Sequence, residues 1–119
     1  MLMRLVSRLC VVILALNFLH TSRMRLVSVR PSHLPEKKYD AVFETDGREK
    51  TVPFGARGMS DYTKHKDPER KKRYMARHSA TENWNKPDSA GALSYHLLWG
   101  PSTSLQSNIE TFKRKFHLR

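Results

Sequence analysis

Cysteine is nearly missing from this chain. Its single residue, Cys10 among 119, excludes an intramolecular disulfide framework and a structural zinc site built on thiolates. No run of about 18 apolar residues occurs, so a bilayer-spanning helix is not clearly encoded. Acidic residues are scarce. Eleven Asp and Glu stand against 22 Lys and Arg, a formal charge of +11 that favours an anionic partner without defining an activity. Residues 1–35 contain no acid and no lysine, only Arg4, Arg8, Arg23, Arg25 and Arg30. All the lysines, all the acids and ten of the eleven aromatics follow, dividing the charge as +5 and +6. The composition therefore predicts a leader over residues 1–35 and a small basic domain over residues 36–119.

In the leader, Arg4 and Arg8 precede the apolar stretch Leu9 to Leu19. Its length suits a secretory h-region better than a membrane span, although no small-x-small cleavage pair follows. The Arg-rich, acid-free composition fits an organelle presequence equally well. Met24 is also a plausible start, since Met3-Arg4-Leu5-Val6-Ser7 recurs as Met24-Arg25-Leu26-Val27-Ser28. Three readings stay open: export or membrane anchoring through residues 1–22, organelle targeting, or no role in the folded state. Cys10 reads as a small buried hydrophobe.

Pro31 and Pro35 mark a linker. Beyond it, Tyr39 to Thr45 and Arg48 to Phe54 are β-prone runs around Asp46-Gly47, a pair suited to a type I′ turn. Pro53 lacks an N–H, which predicts that the second strand is an edge or ends there. Ser60 or Asp61 would cap a short turn through Lys64. Asp67-Pro68-Glu69 is a strong helix start, continuing to His78. A second helix is expected from Ala90 to Trp99, and a third after Thr103, whose spacing to Gln106 suits a capping box. Leu105, Ile109, Phe112 and Phe116 then form one helical stripe. The expected class is α+β: an N-terminal β-hairpin, then about three helices. Such a core is marginal alone, so docking or oligomerisation is plausible, with Trp84 and Trp99 as anchors.

The segment Lys64 to His78 concentrates the chemistry. Seven basic residues (Lys64, Lys66, Arg70, Lys71, Lys72, Arg73, Arg77) face only Asp67 and Glu69. On a helix Arg70, Arg73 and Arg77 share a face with Tyr74 beside them. That row suits successive phosphates, and Arg or Tyr can stack on an exposed base. Arg57, in a glycine loop, would add a backbone contact. The alternative is a solvated helix face that keeps the protein soluble. Nothing amounts to an active site. His65, Asp67 and His78 have a spacing common by chance, and Asp67 is better used as a cap, so no metal and no cofactor are expected. Ser102, Thr103 and Ser104 beside Gly100 lack the lysine of a phosphate loop and read as caps.

The ordered string Val52-Pro53-Phe54-Gly55-Ala56-Arg57-Gly58-Met59-Ser60-Asp61-Tyr62-Thr63-Lys64-His65-Lys66-Asp67, followed by Arg70, Arg73-Tyr74 and Arg77-His78, carries a resemblance. It continues through Leu97-Leu98-Trp99-Gly100-Pro101-Ser102, Asn108-Ile109 and Phe112 to Phe116. Residues 37–117 thereby resemble a family of short basic proteins of unknown function. That family is encoded by nucleocytoplasmic large DNA viruses of algae and protists, and by some algae. The resemblance implies a setting among viral genomes or capsids, and no activity. The expectation is a non-enzymatic protein that binds nucleic acid or another polyanion. The alternative is a structural or membrane-associated virion component docked on a capsid protein.

Overall fold

The computed structural model describes residues 24–119. The readings of the leader's apolar stretch, of Cys10 and of membrane insertion by residues 1–22 lie outside the described residues. Among the described residues, no helix is long and apolar enough to cross a membrane.

Strand β2 (Lys37–Thr45) is the centre of a three-stranded antiparallel sheet, flanked by β1 (Arg25–Pro31) and β3 (Arg48–Ala56). Asp46 and Gly47 join β2 to β3 with φ of 53° and 80°, the paired positive angles of a type I′ turn. Pro53 lies opposite Asp40 on an edge strand, as its missing donor requires. The expected two-stranded hairpin is thus extended by a third strand. β1 comes from residues that composition grouped with the leader, so the fold starts ahead of residue 36. Its arginines obscure it: Arg25 and Arg30 are exposed, while Leu26 is buried opposite Phe43. A bulge between Leu26 and Ser28 skips Val27, which is left exposed.

Strand alternation places Leu26, Ala41, Phe43, Val52 and Phe54 in the core, against Leu93, Leu97, Leu98, Trp99, Phe112 and Leu118. Asp40 and Val42, buried as well, point to the opposite face of β2. Asp40 accepts hydrogen bonds from Ser32 Oγ at 2.6 Å, from the His33 backbone N–H at 3.1 Å and from the His33 ring. Burial alone would push its carboxyl up. The Ser32 and His33 hydrogen bonds prevail and hold it at about 2.

Helix α1 (Tyr62–His65) is capped by Asp61, whose Oδ1 accepts the Thr63 N–H at 2.9 Å. Helix α2 (Pro68–His78) starts as its sequence predicts, with Asp67 as cap and Pro68 in the first turn. Helix α3 (Ala90–Leu93), capped by Ser89, passes directly into a π turn (Ser94–Leu98) rather than running regularly to Trp99. Among the described residues, four of the five side chains of that turn are engaged, Ser94 being the exception. Tyr95 stacks on Trp84 at 3.8 Å, His96 bonds the Trp84 carbonyl at 2.7 Å, and Leu97 and Leu98 enter the core. Helix α4 (Leu105–Lys115) is capped by Ser104, which accepts the Ser107 N–H at 3.2 Å; the capping box between Thr103 and Gln106 does not form. The stripe faces inward, with Phe112 buried and Leu105, Ile109 and Phe116 packed partly against the core. Asn108, wholly buried, clasps the turn before α4: its Nδ2 donates to Leu97 O at 2.9 Å and Ser102 O at 2.8 Å, and its Oδ1 accepts from Ser102 N at 2.9 Å. Gly100 permits this approach, since a Cβ there would stand 2.2 Å from the His96 carbonyl oxygen.

Candidate functional site

Beneath α2 lies a continuous row of rings. Tyr62 meets His65 edge-on at 6.3 Å, His65 meets Trp99 at 5.1 Å, Trp99 stacks on Tyr74 at 4.2 Å, and Tyr74 meets His78 at 4.3 Å. Tyr74 is therefore a core residue between Trp99 and His78. Its ring does not stand free to stack on a base, which corrects the expectation from its place among the cations. Burial, with the Glu82 charge adding to it, pushes its phenol well up. Lys71 also turns inward. Its ammonium donates to the Gly100 carbonyl at 2.8 Å and lies 4.8 Å from the centre of the Tyr62 ring.

The outer side of the same segment is different. Lys64, Lys66, Arg70, Lys72, Arg73 and Arg77 are exposed, and none pairs with a carboxylate among the described residues. Elsewhere three cations pair with carboxylates, Arg25 with Glu44, Lys50 with Asp88 and the part-buried Lys38 with Asp61, while among the described residues Arg30, Lys37, Arg48, Lys86 and the cations near the C-terminus do not. Arg70, Arg73 and Arg77 follow one flank of α2, at the margin of its buried face. Arg57 is held by two bonds, from its N–H to Glu36 O at 2.9 Å and from its Nε to Lys37 O at 3.1 Å, and its side chain stays exposed. Gly58, at φ 91°, makes the adjoining turn possible.

Two open clefts adjoin this face. The first, about 450 Å³, brings Arg57 and Lys64 together with Lys38, Tyr39 and Gly58. The second, about 380 Å³, runs between the end of β3 and α2, with Arg77 and His78 on one wall and Leu98 and Trp99 among its lining. Lys38, Met59 and Ser60 belong to both. Of the residues expected from sequence, Arg57 and Lys64 meet in the first cleft and Tyr74 and Arg77 line the second. Lys66, Arg70 and Arg73 lie outside both, and Lys71 serves the fold. Met59, Ser60 and Ser94 were not among the site residues expected from the sequence. Met59 alone carried a signal, an apolar side chain inside a glycine-rich polar loop.

The titratable groups near the clefts are committed to structure. His65 Nδ1 accepts the Asp67 N–H at 2.9 Å, which leaves the ring proton on Nε2, buried and without a partner among the described residues. Burial, with the Arg70 charge beside it, pulls the His65 ring below its ordinary value. His78 bonds Glu82 at 3.0 Å, and Glu82 also accepts from Trp84 Nε1 at 3.1 Å. Among the described residues, no three His, Cys, Asp or Glu side chains are placed to hold a metal ion.

Strand β1, the hairpin, the Arg57 loop and the basic helix form one stretch of chain, and a single family model covers it. Residues 27–78 are similar to a family of unknown function (DUF5754). The similarity starts inside β1 and stops at the last residue of α2, so it takes in both the exposed cations and the first cleft. It does not extend over α3, the π turn or α4. No curated protein and no solved structure matches the chain.

Proposed function

We propose that this is a non-enzymatic nucleic-acid-binding protein that neutralises phosphates through Arg57, Lys64, Lys66, Arg70, Arg73 and Arg77. The observation that carries this reading is the concentration of exposed, unpaired cations between Arg57 and Arg77. These cations have no carboxylate partner among the described residues, whereas Arg25, Lys38 and Lys50 each have one. Unpaired exposed cations along one flank repel each other and favour a polyanion that releases its counterions on binding. Lys71 and Tyr74 contribute from beneath, by fixing α2 on the Trp99 side of the core. The resemblance of residues 37–117 to virus-encoded basic proteins supports a setting close to a viral genome or capsid. Fluorescence anisotropy of the full-length protein with labelled DNA and RNA, over a salt series, tests the proposal. Affinity should fall steeply, with a log–log slope of about −4 to −5 if five or six phosphates are engaged. Absence of binding at low salt, or a flat salt response, overturns it.

A further inference from the structure

The phosphate-contacting residues reach the second cleft only at Arg77. We infer that this cleft takes one unstacked nucleobase, so that the preferred ligand is a single strand and not a duplex. The inference rests on the nucleic-acid reading above and specifies it. Because the two clefts share Lys38, Met59 and Ser60, a backbone phosphate held between Arg57 and Lys64 leaves its base beside the second opening. That opening, about 380 Å³, is near the lower end of the roughly 300–1,000 Å³ usual for small-ligand clefts. Leu98 and Trp99 give it an apolar part. Three hydroxyls lining it, on Ser60, Tyr74 and Ser94, make no hydrogen bond to any described residue. They are therefore free to meet the donors and acceptors on a base edge. Arg77 adds a positive charge at the wall. Met59 is 67% exposed at the junction of the clefts, one of two large apolar side chains left open to solvent among the described residues. Its thioether is suited to lie against an aromatic ring face. A duplex offers the same phosphates but keeps its bases stacked and paired, and taking one out costs free energy.

The test uses the full-length protein and three labelled probes of about 12 nucleotides, a length within the range single-strand sites cover. The probes are oligothymidylate, the same strand made abasic, and the duplex of oligothymidylate with oligoadenylate, all measured at one salt concentration. Oligothymidylate should bind about tenfold more tightly than the abasic strand, and more tightly than the duplex. Met59→Ala, at an exposed position with no part in the core, should weaken oligothymidylate binding about fivefold and leave abasic and duplex binding unchanged. Equal affinity for all three probes, or an equal effect of Met59→Ala on all three, overturns the base-binding cleft while leaving the phosphate-binding face standing. Failure of every probe to bind at low salt removes both.

Discussion

On α2, Lys71 and Lys72 are neighbours in the chain, yet the first ammonium bonds the Gly100 carbonyl at 2.8 Å and the second has no partner among the described residues. The same division runs along the whole helix. Lys71, Tyr74 and His78 face a row of rings, while Arg70, Arg73 and Arg77 follow the exposed flank. A basic helix of this kind is two devices in one. Its inner side holds it in place by aromatic packing and one charge–carbonyl bond, and its outer side is available to a ligand. Net charge does not distinguish the two, because the seated Lys71 and the exposed Lys72 each count as one positive charge.

Substitutions that separate the two sides test this division. Removal of the central ring should have the largest effect: Trp99→Ala should cost about 3–5 kcal/mol of unfolding free energy in a urea titration. A loss below about 1 kcal/mol would mean that the ring row is not what seats α2. Replacing Arg70, Arg73 and Arg77 together by glutamine should leave unfolding within about 0.5 kcal/mol, yet reduce the salt slope of nucleic-acid binding by about 2 to 3. An unchanged slope would place the ligand elsewhere. The two lysines should then part company. Lys71→Met should destabilise by about 1–2 kcal/mol with little change in affinity, and Lys72→Met should leave stability unchanged. Equal behaviour in thermal denaturation would remove the distinction between them.

The smallest effect concerns pH. Burial pulls both His65 and His96 below the ordinary histidine value, with the Trp84 carbonyl opposing it at His96. Both rings therefore stay neutral to a lower pH in the fold than in the unfolded chain, which titrates near 6.5 and takes up protons first as pH falls. Their contribution is complete above about 6.5 and declines below it. The Tm should drop between pH 7.5 and 5.5, and His96→Gln should make that drop shallower. An equally steep drop in the variant would assign the pH response to other groups.

Much of the sheet and of the start of α2 was legible in the sequence, because each rests on a local rule. Asp46-Gly47 has few turns open to it, and Asp67-Pro68-Glu69 caps and starts a helix with its own atoms. What stayed hidden depends on distant partners. β1 is a strand because Leu26 packs opposite Phe43, a pairing that an Arg-rich, acid-free composition does not reveal. The π turn follows from the partners of Tyr95 and His96 on Trp84, and the Asn108 clasp joins carbonyls of residues 97 and 102. The role of the Tyr74 ring was misread for a related reason. Among seven cations, one aromatic reads as part of the binding face, until Trp99 is found stacked on it at an angle of 4°. The site was accordingly legible as a row of charges but not as two clefts, since Ser94 joins Met59 and Ser60 only through the fold.

Pro53 and the bulge at Val27 have a bearing on how this protein meets its own copies. A small sheet with two open edges is a template for strand addition by a neighbour. Here β3 carries Pro53 together with Arg48 and Lys50, while β1 is interrupted at Val27 and its Leu26 N–H already bonds the Arg119 carbonyl at 3.2 Å. Both borders are poor partners for a further ribbon. Neighbouring copies of the chain are thereby kept apart at their sheet edges, which leaves side chains as the route for any association between them.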